Sequence, residues 1–367
     1  MRSLVCPSMA MVKWVPVALV GAVALAALTG ANPPQPPAPP APDLVASAPR
    51  LAVVAASPHG TDIFSVDDVA AVELATVRHE GDASVRATLD LVEPTQLWLN
   101  ARQTRERGPG SFDFATHAVD LTTGRSRIAL ESVAHASRPL PSPDRGGVWI
   151  VAGSPGASRE RDEFRIVHLG PHGRADEIYR TTATYLHLAA FDPTAGRIVA
   201  YRVDPEGAEL VLIDPEHGHA QRVRSLLPFA RDFSLDVDQR QVVFRQRHET
   251  HASRWTIESI SLTDGSQTRL FEGTSFSLAP HVWPDGDVAF NPHRSGLHLL
   301  HTDADLSFQG DGVDVVRATS ERWIALLHGS TGRQHGWLYD RRTQTARALK
   351  GPRGVIDVAG FLPEASR

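Results

Sequence analysis

Beyond residue 50 one pattern keeps returning: a tight turn built on proline, aspartate or glycine, then a short apolar strand. The turns read Ser57-Pro58-His59-Gly60, Glu93-Pro94-Thr95, Ser142-Pro143-Asp144, Asp192-Pro193-Thr194, Asp236-Val237-Asp238, Trp283-Pro284-Asp285-Gly286 and Thr319-Ser320-Glu321. Each precedes an apolar run, such as Leu97–Leu99, Val148–Val151, Ile198–Tyr201, Val242–Phe244 or Val288–Phe290. Proline pre-sets φ for the turn, and Asp or Gly completes it. A second family of turns closes the following hairpin, at Asp120–Gly124, Leu169–Gly173, Asp214–Gly218, Ser261–Gly265 and Tyr339-Asp340. Helical periodicity is almost absent, so the segment reads as all-β.

Strand, proline turn, strand, longer loop, strand, Asp/Gly hairpin, strand describes a four-stranded up-and-down unit of about 45 residues. A lone unit of this kind cannot cover both of its apolar faces, whereas units stacked in a closed ring can. The expected fold is therefore a β-propeller of four-stranded antiparallel blades over residues 51–367. Seven blades fit the turn count, and six, with residues 51–90 as an irregular extension, is the alternative. From Gly354 to Glu364 an eighth copy begins and stops after its turn, so the carboxyl end is expected to supply a strand beside the first blade. Such closure removes two open sheet edges.

The segments Ala56–Phe64 and Pro284–Phe290 resemble the TolB-type, WD-like propeller repeat, whose core is Ser-Pro-Asp-Gly followed by a strand. The resemblance runs over nearly all of residues 51–367, with degenerate repeats: only Pro284-Asp285-Gly286 keeps all three central residues. It implies a fold and brings no catalytic residue with it. The Trp-Asp dipeptide of true WD repeats is missing.

The amino terminus indicates export. Arg2 and Lys13 precede an apolar stretch from Trp14 to Leu28, which ends in Thr29-Gly30-Ala31. Basic residues, a short apolar core and small residues make a secretory signal. Residues 1–31 thus read either as a signal peptide cleaved after Ala31 or as an uncleaved anchor over residues 12–31, and translation starts at Met1, Met9 or Met11 are all compatible. Residues 32–50 form a Pro-rich linker, extended in polyproline II. The expected compartment is periplasmic or extracellular, with any membrane contact made only through the amino-terminal segment.

Residue usage narrows the chemistry. Cys6 is the only cysteine, so beyond it disulfides, thiolate metal sites and cysteine nucleophiles are excluded together. A net charge of −5 argues against nucleic acid as a partner. Lys13 and Lys350 are the only lysines, so nearly every cation is an arginine fork suited to carboxylate or phosphate. Gly329-Ser330-Thr331-Gly332 lacks the spacing of a nucleophile elbow. The repeat also leaves no room for a separate catalytic domain. Seventeen histidines invite a metal reading. Yet the close pairs, His217/His219, His248/His251 and His298/His301, match no ligand motif, and Phe308 stands where a calcium loop requires glycine. No cofactor and no metal are assigned. Trp98, Trp149, Trp255, Trp323 and Trp337 fall in strands and are expected to pack between blades.

Charge is the remaining signal. Phased as above, the proline turns and Asp/Gly hairpins share one acidic face, and the loops joining second to third strands open on the other. Those loops carry Arg245, Arg247, His248, His251 and Arg254 in blade 5, His293 and Arg294 in blade 6, and Arg333 and His335 in blade 7. Blade 2 adds Arg102, Arg105 and Arg107. The expectation is an exported or membrane-tethered, monomeric, non-catalytic propeller that binds a protein or an anionic envelope polymer through this basic arc or through the central channel. The alternative is a propeller enzyme of the lyase or lactonase class, acting on an anionic saccharide with a His-bound metal. Three histidines converging on one point would separate the two.

Overall fold

The computed structural model describes residues 48–79, 85–103, 113–135, 137–158, 161–275, 277–292, 296–307, 313–329, 334–352 and 354–363. Residues 1–31, read above as a signal peptide or anchor, and nearly all of residues 32–50 lie outside these residues. No helix among them is long and apolar enough to cross a membrane.

The described residues form strands and turns, without a helix, and the strands pair into seven sets of four, here called blades 1 to 7. In blade 1 the order across the sheet is Val355–Phe361, Leu51–Ser57, Gly60–Val66, Ala71–Arg78. Blades 2 and 3, residues 86–133 and 140–183, meet in one larger sheet through the single pair Val133 and Ala152. Blades 4 to 7 span residues 185–226, 231–273, 281–306 and 313–348, each paired in sequence order. All the ladders are antiparallel, as the hairpin turns require.

Period-two alternation explains how the blades stack. In the strand Arg197–Asp204, Ile198 and Ala200 join the apolar cluster shared with blade 3. Val199 and Tyr201, pointing the other way, join the cluster shared with blade 5. A blade's middle strands are thus apolar on both faces, which is why they read as continuous runs rather than alternating ones. The outermost strands, such as Ala220–Leu226, are mostly exposed. Similar clusters lie between the other neighbouring blades; one formed by Leu51, Val53 and Val66 with Ala325, Leu327 and Leu338 joins blade 7 to blade 1. The five tryptophans sit in these interfaces as expected. Trp98 is fully buried, a burial of roughly 200 Å² or about 5 kcal/mol of transfer free energy.

The carboxyl-terminal strand does lie beside the first blade: Val54 pairs with Asp357, and the Leu362 N–H donates to the Arg50 carbonyl at 2.8 Å. This closure shifts one repeat out of the expected phase. Because Val355–Phe361 is the innermost strand of blade 1, Leu51–Ser57 is its second strand. The turn Ser57–Gly60 therefore joins second to third strand and opens on the loop face, not with the other proline turns.

Aspartates of the turn face serve the backbone. Asp120, Asp192 and Asp214 accept N–H groups two and three residues ahead. Backbone donors, Glu216 N–H foremost, hold the Asp214 carboxyl at about 2. Others tie blades together. The carboxylate of Asp90 accepts from Trp98 Nε1 at 3.2 Å and from the Gly147 N–H of blade 3 at 2.5 Å, and Asp192 takes a bond of 2.7 Å from Arg240 of blade 5. Turn closure and blade docking account for the acidity of this face without a ligand.

Candidate binding channel

The innermost strands converge on the axis of the ring, and polar side chains on or just before them meet there. Asp357, completely buried in blade 1, accepts from Arg138 Nη2 at 2.6 Å and from the Ala87 N–H of blade 2 at 2.9 Å. It also faces Arg317 Nε of blade 7 at 3.3 Å. Arg138, in the connection leading into blade 3, donates further to the carbonyls of Arg317 at 2.8 Å and Val358 at 3.1 Å. Residues from four blades can meet one carboxylate only at the axis. Arg317 is the extra residue of a β-bulge, between Val316 and Ala318, a device that re-aims a side chain.

Burial alone pushes the Asp357 carboxyl up, but the charges of Arg138, Arg317 and Arg86 and the Ala87 N–H outweigh it, so it stays below the ordinary range. Burial lowers Arg317 to about 10, partly countered by Asp357. His281 of blade 6 is held at about 4 by burial and by the charges of Arg138 and Arg317.

The other side of the axis is aromatic. His135, Tyr185 and His187 form an aromatic group: His135 stacks on Tyr185 at 4.9 Å and 27°, Tyr185 lies 6.4 Å from His187 at 16°, and the two histidines are tilted 38° to each other at 6.0 Å. His187 also touches Phe233 of blade 5 at 6.0 Å. Burial holds His135 at about 3 and His187 at about 4, so both rings are neutral at pH 7. Asp232 pairs with Arg245, and its charge also acts on His187 and Arg317, which links this wall to the arginine side. Arg231 acts on the Tyr185 and Tyr201 phenols. Among the described residues neither Arg86 nor Arg231 has a carboxylate partner; Arg86 donates only to the neighbouring Val85 carbonyl at 2.7 Å. Solvent reaches the group: the Arg138 and Arg317 side chains are 28% and 18% exposed, and Tyr185 is 38% exposed. Among the described residues five arginines, Arg86, Arg138, Arg231, Arg245 and Arg317, thus accompany two carboxylates, Asp232 and Asp357.

The basic arc drawn from the loops fares differently residue by residue. Arg245 is not in a loop: it lies buried in the second strand of blade 5, 5.4 Å from the Trp255 ring and ion-paired to Asp232. Arg247 donates to the Ala252 carbonyl at 2.9 Å and so shapes its own loop. Arg254 meets Glu272 at 2.5 Å, and His248 lies 3.6 Å from the same carboxylate. His248 and His251 sit 5.0 Å apart. The blade 5 loop cations are therefore gathered, but largely answered by their own blade. His335 and Arg102 are exposed at strand ends. Arg105, Arg107, His293, Arg294 and Arg333 lie outside the described residues. No three His, Asp or Glu side chains converge as metal ligands among the described residues, so the enzyme alternative gains no ligand set from them.

The axial residues escaped sequence reading, although a signal existed. Arg86, Arg138 and Asp232 each stand four residues before a turn residue of the first kind or its equivalent, Asp90, Ser142 and Asp236. A polar residue recurring at one repeat position on an otherwise buried strand marks the axis.

No family model and no curated protein matches the sequence. Solved structures do match in fold. TolB from Acinetobacter baumannii aligns with TM-score 0.50 and 12% identity, over 86% of this chain and 67% of that one. The periplasmic gluconolactonase PpgL of Pseudomonas aeruginosa aligns with TM-score 0.54 and 12% identity, over 87% of this chain and 100% of that one. A protein from Lactobacillus plantarum gives TM-score 0.56 and 9% identity, over 85% and 99%. At such identities the likeness is one of fold. The chain is an all-β propeller resembling TolB-type propellers.

Proposed function

We propose that this chain is an exported propeller that binds, rather than transforms, an anionic partner, protein or envelope component, whose carboxylate or phosphate meets the arginines at the axis. The observation that carries the reading is the excess of arginine over carboxylate at the axis among the described residues, where neither Arg86 nor Arg231 forms an ion pair of its own. Guanidinium groups held by a rigid scaffold, in a site of reduced dielectric, bind planar oxyanions well. Export rests on the signal-like residues 1–31, and the fold is shared with a propeller described as periplasmic.

The test is calorimetric titration with inorganic phosphate and acetate, together with salt elution from a phosphocellulose column. Binding by the wild-type chain that falls at least 10-fold in Arg86→Gln/Arg231→Gln, at unchanged melting temperature, is the expected result. A double variant that binds like the wild type overturns it.

A further inference from the structure

Resting on the anion-binding reading, we infer that the group entering the axis is a carboxylate carried on an aromatic ring, either a free aromatic acid or a polypeptide ending in an aromatic residue. One side of the site is an aromatic wall. Tyr185 lies within 27° of both His135 and His187, which are tilted 38° to each other, and Phe233 follows beyond His187 at a tilt of 35°. Tyr185 retains 38% exposure despite that stacking, so part of its ring is free to receive another ring. Arg231 opens the strand that carries Phe233, so an arginine accompanies the aromatic wall, and its charge reaches the Tyr185 phenol.

The wall also discriminates against a sugar. His135 Nε2 and His187 Nδ1 are buried and make no hydrogen bond, so these rings offer carbon faces while those nitrogens stay hidden. A saccharide laid on these rings by its C–H face would find no hydrogen-bond partner for its hydroxyls in those two nitrogens, whereas an aromatic ring needs none. Stacking against Tyr185 then adds to the ion pair with arginine rather than competing with it.

The experiment titrates the full chain, in parallel, with Gly-Gly-Phe bearing a free carboxylate, the same peptide amidated, 4-hydroxybenzoate, galacturonate, acetate and inorganic phosphate. The free peptide acid or 4-hydroxybenzoate is expected to bind at least 10-fold tighter than acetate and than galacturonate. Which of the two binds tighter identifies the source. Amidation is expected to weaken the peptide at least 10-fold, and Tyr185→Leu to abolish the advantage of ring over acetate. If phosphate binds but the aromatic acids do no better than acetate or galacturonate, this inference falls and the anion-binding reading stands. If no anion binds, phosphate included, both fall.

Discussion

The Asp357 carboxylate and the Arg138 guanidinium meet at 2.6 Å across a separation of 219 residues. One belongs to the strand Val355–Phe361, the other to the connection into blade 3, so the pair holds the closing strand against the opposite side of the axis. Asp357→Ala leaves Arg138 and Arg317 facing each other without their shared counter-charge. The expected loss is about 3–5 kcal/mol in urea unfolding. A double-mutant cycle with Arg138→Gln should show strong coupling; additive losses would mean that the two do not act as a pair.

Stability should depend on pH through histidine. Burial holds His117, His187 and His281 near 4 and His135 near 3. An unfolded histidine titrates near 6.5, so below that pH the unfolded chain takes up protons that the folded chain refuses. Stability is then complete above about pH 6.5 and declines as pH falls toward 4, at up to ~1.4 kcal/mol per unit for each such histidine. Urea midpoints at pH 7.5, 5.5 and 4.5 measure the slope. His187→Gln should flatten it, and an unchanged slope would remove His187 from the account.

Arg245 and Arg254, neighbours in sequence on the basic arc, should part company on substitution. Arg245→Ser strips a buried cation from Asp232 and Trp255 and is expected to cost about 2–4 kcal/mol. Arg254→Ser removes an exposed pair with Glu272, expected to be worth under about 1 kcal/mol. Comparing the two melting curves checks the assignment; equal shifts would contradict it.

Gly147 has no room for a side chain. Its φ is +76°, and a Cβ would lie 1.9 Å from the Leu169 carbonyl oxygen, while its N–H is bound to Asp90. Gly147→Ala should therefore lower stability by at least about 3 kcal/mol or abolish soluble expression. Gly196→Ala, also at positive φ but with nothing within 4 Å, should cost only about 1 kcal/mol.

The strands and turns were legible because their chemistry is local: Pro193 sets a turn and Ile198–Tyr201 cannot face water, whatever surrounds them. The phase of the first repeat was not, since Ser57–Gly60 has the local form of every other proline turn, and only pairing with residues 355–361 shows it to be displaced. Arg245 was misplaced for a related reason. A charged residue at the end of an apolar run reads as the start of a loop, yet here Asp232 and Trp255, thirteen residues before it and ten after it, receive it inside. The axial group is harder still, because Arg86 and Arg138 share only a repeat position, Arg317 and Asp357 do not share it, and the four become neighbours only when the ring is complete.

Val355–Phe361, made long after Leu51–Ser57, is the innermost strand of the first blade. Leu51–Ser57 must therefore wait, with one edge unpaired, while the intervening repeats are made. A chain cut before Val355 keeps that edge open and leaves Arg138 and Arg317 without Asp357 between them. Such a chain offers a strand edge to proteases and to other chains. Protection of the first blade is thus deferred until the seventh has been passed, and any intermediate that stalls earlier carries an exposed ladder.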